Sequence, residues 1–269
     1  MSRPSPRERL ASLATAATEI FGRLGYRGTR TADVAARAGM SAGSLFNYVE
    51  SKEALFHLVF VYALDLLPEA PELPLPTPEP GETVALFARA LRDGQPSRLQ
   101  AALAGGEPAD VAGELRGIIE ELYDTIAWAW PVLAVVERCS AEMPDLEAVW
   151  FGGGRGGIYA DLAEYLQRRT ATGRLRPTPD FPIAARVIGE LATWFAWHRH
   201  EDRDAALYDD TTVRRTVIGF ICAALVPESA SENQHSADRW IGSAVGPIRG
   251  FSRPPAVSAD APSRLLLRP

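Results

Sequence analysis

The chain almost lacks lysine: Lys52 stands alone among 28 basic residues, and every other one is arginine. Cysteine is scarce too. Cys139 and Cys222 are too few for a disulfide framework and have no metal-type spacing, so a reducing, cytoplasmic setting is expected, with both thiols inert. The longest stretches without a charge, 125–136 and 216–227, run 12 residues, too short to span a bilayer, so no membrane is expected as a partner. Ser12, Thr15, Thr18 and Glu19 interrupt the N-terminal Ala/Leu stretch, which argues against a secretion signal. Alternating β-branched runs joined by hairpin dipeptides are missing, and an all-α fold is the reading that remains.

The net charge of −6 in 269 residues looks wrong for a nucleic-acid binder until it is divided along the chain. Residues 1–60 hold eight basic side chains against five acidic ones, a net +3, which leaves −9 for the rest. A small basic head on an acidic body suggests that the head meets a polyanion and the body meets something else.

Apolar periodicity then orders the chain. Leu10, Leu13, Ala14, Ala17, Ile20, Phe21 and Leu24 form one face of a first helix, which Gly25 stops. Thr31 is expected to cap a second helix, Gly39 to end it in the left-handed conformation, and Ser41 to cap a third. That is helix, tight turn, helix within 31–49. A fourth helix is expected over 52–67, before Pro68, Pro71, Pro74, Pro76, Pro78 and Pro80 impose a stiff, extended linker. Beyond it, helices are expected at 82–92, 97–104, 109–129, 132–141, 144–151, 158–170, 181–200 and 210–226. Residues 227–269 read as a disordered tail. The expected division is a head at 1–52, a connecting helix at 53–67, a linker at 68–81 and a helical body at 82–226.

Residues 25–55 resemble the DNA-binding segment of the tetracycline-repressor (TetR) family. Thr31, Val34-Ala35, Ala38-Gly39, Ser41, Gly43, Leu45, Tyr48 and Lys52-Glu53-x-Leu55 stand in the family's register without a gap. The resemblance implies an N-terminal three-helix, helix-turn-helix DNA-binding domain followed by a helical effector-binding and dimerisation domain. It implies that Thr31, Ser44, Tyr48 and Lys52 hold the DNA backbone while Ala42, Gly43 and Asn47 face the bases. Physical chemistry agrees: a helix whose first turn is small enters the major groove, and the Asn47 amide can pair with adenine N6 and N7. Two departures, Phe46 for the usual Tyr and Val49 for the usual Phe, remove one phosphate-directed hydroxyl and change the packing of the motif.

Other constellations are weaker. Gly152, Gly154 and Gly157 spell G-x-G-x-x-G, but a helix rather than a strand precedes them, so a broken or kinked helix is expected instead of a nucleotide site. His198, His200, Glu201, Asp202 and Asp204 have a metal site's composition without its spacing, and read as a solvated helix end. No metal, cofactor or catalytic residue is expected, and the protein is not expected to be an enzyme.

In the body, Val187 and Leu191, with Val217, Phe220 and Ile221, mark apolar stripes on the last two helices. By resemblance these build a four-helix bundle with a second subunit, giving the homodimer that a palindromic operator needs; alternatively the stripes fill the monomer's core. Tyr123, Trp128, Trp150 and Trp194 are the candidate walls of a pocket for an apolar or aromatic small-molecule effector. The reading is a ligand-responsive regulator of double-stranded DNA, in the sense of a repressor released by its effector. The alternative is a DNA-binding regulator that answers to a protein partner.

Overall fold

The computed structural model describes residues 4–227, and every regular element among those residues is helical. The expected tail beyond 227 lies outside the described residues. Helix α1 (Pro6–Gly28) opens with a capping box, in which the Ser5 hydroxyl accepts from the Glu8 N–H at 3.2 Å and the Glu8 carboxylate accepts from the Ser5 N–H at 2.6 Å. It kinks at Gly25, whose φ of 76° is left-handed. Helix α2 (Thr31–Arg37) follows, then Gly39 at φ 70°, then α3 (Ala42–Leu45), which Ser41 caps by accepting from the Ser44 N–H. Thr31 does not cap α2: Arg30 occupies that position without a side-chain bond, and Thr31 lies inside the first turn. Helix α3 is a single turn, continued by tight bonds from the Tyr48 and Val49 N–H groups to the Leu45 carbonyl.

Helix α4 (Lys52–Ala63), capped by Ser51, stops four residues earlier than the sequence pattern suggests. Asp65 turns left-handed at φ 53°, and the Leu66 N–H folds back onto the Val61 carbonyl at 2.9 Å. Apolar Leu64, Leu66 and Leu67 had extended the pattern without extending the helix. The proline segment is also no free linker. Its Leu75 N–H donates to the Tyr48 carbonyl at 2.8 Å and its carbonyl accepts from Glu50 at 3.0 Å, while the Thr77 N–H donates to the Glu50 carboxylate at 2.9 Å. Extended, proline-set backbone here straps the end of the DNA-reading motif.

The body comprises α5 (Glu82–Asp93), α6 (Ser97–Ala104), α7 (Val111–Ser140), α8 (Pro144–Glu147), a π-helical stretch (Ala148–Gly154), α9 (Arg155–Ala171), α10 (Phe181–Ala196) and α11 (Asp210–Leu225). Two expectations change. Pro131 does not divide α7, although an interior proline costs about 3 kcal/mol. Gly152, Gly153 and Gly154 do not end the helix; they widen it into a π turn, and Gly154, at ψ −81°, departs from helical geometry where α9 begins.

Two apolar cores explain why α7 stays whole. The head core joins Leu10, Phe21, Val34, Leu45, Leu55 and Phe60 to Val135, Val136 and Cys139 from the C-terminal half of α7. The body core joins Leu115, Ile118, Ile119 and Tyr123 from its N-terminal half to Leu162, Tyr165, Ile188, Val217 and Ile221. Burial of both ends in different cores offsets the hydrogen bond that Pro131 lacks. Helix α7 thus ties head to body as one rigid element.

Candidate nucleic-acid interface and cavity

The reading motif presents its small residues outward. Ala42 and Gly43 are exposed, and a methyl group built on Gly43 would meet nothing within 4 Å among the described residues. Leu45 and Val49 turn inward and are fully buried, so they anchor the turn from behind. Asn47 is exposed on the outer side, and its side chain makes no hydrogen bond among the described residues, so its amide is unspent. Ser44 is partly buried, its hydroxyl 2.7 Å from the Ser41 hydroxyl, and Thr31 and Tyr48 are also partly buried. Phe46 lies exposed beside Asn47.

Lys52 is held in place. Its Nζ sits 4.6 Å from the centre of the Tyr26 ring, and the Tyr26 hydroxyl donates to the Glu53 carboxylate at 2.9 Å. A backbone N–H and that hydroxyl hold the Glu53 carboxyl below its usual range, while burial pushes the Tyr26 phenol up. The cation at the first turn of α4 opposes the helix dipole, and the aromatic face compensates locally.

The kink of α1 is gripped from the far end of α7. One oxygen of Glu142 accepts from the Arg27 N–H at 2.6 Å, and the other would lie 2.5 Å from a Cβ placed on Gly25. Glycine is therefore required there twice, by its φ and by the carboxylate beside it. Next to this contact Cys139 is buried against α1, and burial pushes its thiol up to about 12, so it is unreactive.

Between the two cores lies a cavity of about 190 Å³. Helices α4, α5, α7, α9 and α10 all contribute, through Phe60, Phe87, Ile126, Trp128, Trp150, Tyr159 and Trp197 among others. Its walls on α7 run past Pro131 from Leu122 of the body core to Val132 and Leu133, which pack against the head core. Trp128 is 70% exposed and also lines a groove of about 1280 Å³ beside α1, so it stands between the cavity and the outside.

Of the four aromatic residues expected at a pocket, Trp128 and Trp150 line this one. Tyr123 and Trp194 do not. The α7 wall runs through Leu122, Ile126, Ala129 and Leu133, and Tyr123 lies about 100° round the helix from Leu122 in the body core, its hydroxyl donating to the Phe195 carbonyl at 3.2 Å. On α10 the stripe Gly189, Thr193 and Trp197 faces the cavity, and Trp194 sits one position round from it. A side chain on Gly189 would collide with the Tyr159 ring that closes this wall.

The five dimer candidates also divide. Val187 and Phe220 are 52% and 69% exposed, Leu191 is partly buried, but Val217 and Ile221 are 5% and 3% exposed inside the body core. Residues 217 and 221 share the inner stripe of α11, and Phe220 points the other way. Ile221 therefore leaves the candidate interface and Val217 only floors the groove beside Phe220, while exposed Ile183, Leu207 and Tyr208 extend it.

No group of three or more metal-ligating side chains converges among the described residues, the segment from His198 to Asp204 included. In that segment the sequence reading missed Arg199. It is buried, donates to the Phe195 carbonyl at 2.7 Å and the Tyr208 carbonyl at 3.3 Å, and pairs with Asp210, thereby stitching α10 to α11.

Residues 13–59 match the family model described as "Bacterial regulatory proteins, tetR family". That segment of the chain is TetR-family sequence. TetR-family proteins are transcriptional regulators rather than enzymes. No curated protein matches the sequence. Among solved structures the chain is similar to a putative TetR-family transcriptional regulator from Mesorhizobium loti MAFF303099, at 18% identity over 84% of this chain and 100% of that one, with a TM-score of 0.46. It is also similar to AibR in complex with isovaleryl coenzyme A and operator DNA, at 18% identity over 79% and 97% of the two chains and a TM-score of 0.47. A third is FadR from Bacillus subtilis in complex with stearoyl-CoA, at 15% identity over 79% and 97% and a TM-score of 0.42. Among the described residues no helix is long and apolar enough to cross a membrane.

Proposed function

We propose that this TetR-family regulator is a repressor that binds a palindromic operator as a homodimer and leaves it when a small apolar or aromatic molecule enters the cavity between the two cores. Residues 1–52 read the DNA, and 82–226 carry the effector and dimer functions. In the head, Ala42, Gly43 and Asn47 face base edges while Thr31, Ser44, Tyr48 and Lys52 hold phosphates. Ile183, Val187 and Phe220, with the apolar groove of about 630 Å³ beside Phe220, meet the same surface of a second copy in a four-helix bundle. Isolated large apolar side chains are ordinary, but two on α10 and one on α11, beside an apolar groove, are more than a solvated surface needs.

The observation that carries the proposal is the course of α7, which lines the cavity at its middle and leads directly into the turn whose Glu142 grips the kink of α1. A ligand that binds better when α7 is displaced shifts Glu142, re-aims the head and lowers operator affinity by linkage. Selection of duplexes from a random pool, followed by footprinting and sedimentation of the complex, tests the reading. Two protected half-sites about one helical turn apart with two protomers are the expected result. Protection of a single half-site by one protomer would refute the homodimer.

A further inference from the structure

The charges at one end of the cavity limit what can enter it. Glu137 and Arg155 are the only ionisable carboxylate and guanidinium among its lining residues. Arg155 Nη2 donates to Glu190 at 2.6 Å, and its Nη1 lies 3.7 Å from Glu137. The same Glu190 oxygen also takes Arg186 Nε at 2.6 Å. Two carboxylates and two guanidiniums therefore sum to zero, and the remaining walls are apolar and aromatic. A ligand with a net charge would leave that charge uncompensated among partly buried groups of low polarisability.

Donor capacity is nevertheless left over on Arg155. Arg155 Nη1 has only the long contact to Glu137. The indole N–H groups of Trp150 and Trp197, both on lining residues, are shut off from solvent and have no hydrogen-bond partner among the described residues. Those two indoles are closed to a ligand as well, whereas an acceptor that meets Arg155 Nη1 supplies the short hydrogen bond that Glu137 at 3.7 Å does not.

We infer that the cavity takes an uncharged, mainly aromatic molecule carrying a hydrogen-bond acceptor such as a ketone or ester carbonyl, with Arg155 as the donor that selects it. The inference deepens the effector reading above and rests on it. Neutrality is enforced by the Glu137–Arg155–Glu190–Arg186 cluster, the acceptor is selected by Arg155, and the flat frame is set by the Phe87, Trp150 and Trp197 rings.

Calorimetry with four probes on one frame tests this: naphthalene, 2-acetylnaphthalene, 2-naphthoate and 2-naphthylmethylammonium, each titrated into the full chain at neutral pH. The ketone is expected to bind tightest, the hydrocarbon next, and the two ions at least about tenfold more weakly than the ketone. Glu137→Gln keeps the volume and makes the cluster +1, so naphthoate is expected to gain about tenfold while the ammonium does not. Arg155→Met makes it −1, so the ammonium gains and the ketone loses its advantage over naphthalene. Either ion binding the unaltered protein more tightly than the ketone overturns the inference. So does a charge preference that ignores both substitutions, or binding by none of the four probes. A ketone that binds but leaves the operator occupied refutes the release step instead, and the ligand class stands.

Discussion

The head and body cores differ in how their residues are gathered. Most of the head core comes from 10–60, a contiguous run in which each turn brings its own punctuation: Ser5 and Glu8, Gly39, Ser41, Ser51. The body core draws on α6, α7, α9, α10 and α11, and its fixed polar points are long-range pairs such as Arg169 with Glu114 at 2.8 Å and Arg214 with Asp124 at 2.6 Å. One region is specified locally and the other by distant partners. The lesson is functional as well: a locally specified head keeps its reading surface while the body shifts, provided that one element links them, and α7 is that element.

The sharpest way to break the comparison is to charge the two faces of α11. Val217→Asp places an unpaired carboxylate in the body core and should cost about 3–5 kcal/mol, lost in denaturant unfolding. Phe220→Asp, three residues on and exposed, should leave helicity and unfolding near the parent's while sedimentation shows half the mass. Equal destabilisation by both would place Phe220 in the core and refute the interface. A folded dimer from Phe220→Asp would move the interface elsewhere.

The joint between the regions comes next. Gly25→Ala forces a left-handed alanine and drives its Cβ against Glu142, so it should destabilise by about 2–3 kcal/mol, of which about 1–2 kcal/mol is backbone strain. Glu142→Ala removes the obstruction and the Arg27 contact together. In the double variant the loss should be smaller than the sum of the singles by about 1 kcal/mol, measured as a double-mutant cycle. Strict additivity would show that Glu142 does not hold the kink.

Within the head, Lys52→Ala and Asn47→Ala should fail differently. Removing the point charge should weaken operator and scrambled DNA alike and flatten the salt dependence by about one counterion. Removing the free amide should cost about 1–3 kcal/mol on operator only, with preference relaxed at one base pair per half-site. Isotherms at several salt concentrations on both duplexes make the comparison. Equal losses on both duplexes for Asn47→Ala would remove it from base reading.

The same contrast explains what was legible in the sequence. Gly39 and Ser41 act within one turn of themselves, so their conformations follow from residue type and neighbours. Thr31 misled because a capping residue is recognised by type, while one residue of register decides whether Arg30 or Thr31 holds the position. Pro131 misled because local propensity predicts a break that two cores, packed at either end of α7, override, and the glycine run misled likewise because Trp150 before it is held in the head core and Leu162 after it in the body core. Val217 and Phe220 both belong to an apolar pattern, and only distant partners settle which faces inward. The cavity was half visible: its aromatic content could be read, but the roles of Trp197, Arg155 and Gly189 depend on helices far apart in sequence. Of these, the i, i+4, i+8 spacing of 189, 193 and 197 was the one available signal.

The smallest expected effect lies where α4 meets α5. His57 Nδ1 lies 2.9 Å from the Thr83 hydroxyl, and burial holds the imidazole below its usual value, against a weaker opposite pull from Glu82. Because the folded pKa is depressed, the unfolded chain binds the extra proton first as pH falls below about 6.5. Stability should therefore decline from there down to the folded pKa, with the neutral ring's full contribution present above pH 6.5. His57→Gln keeps a polar partner for Thr83 without that titration, so the difference in unfolding free energy between parent and variant should change across this window and level off above it. Carboxylates that also titrate at low pH are common to both proteins and cancel in the difference. A difference independent of pH between 5 and 7 would mean that His57 is solvated enough to charge freely, and that the α4–α5 contact is looser than the Thr83 bond suggests.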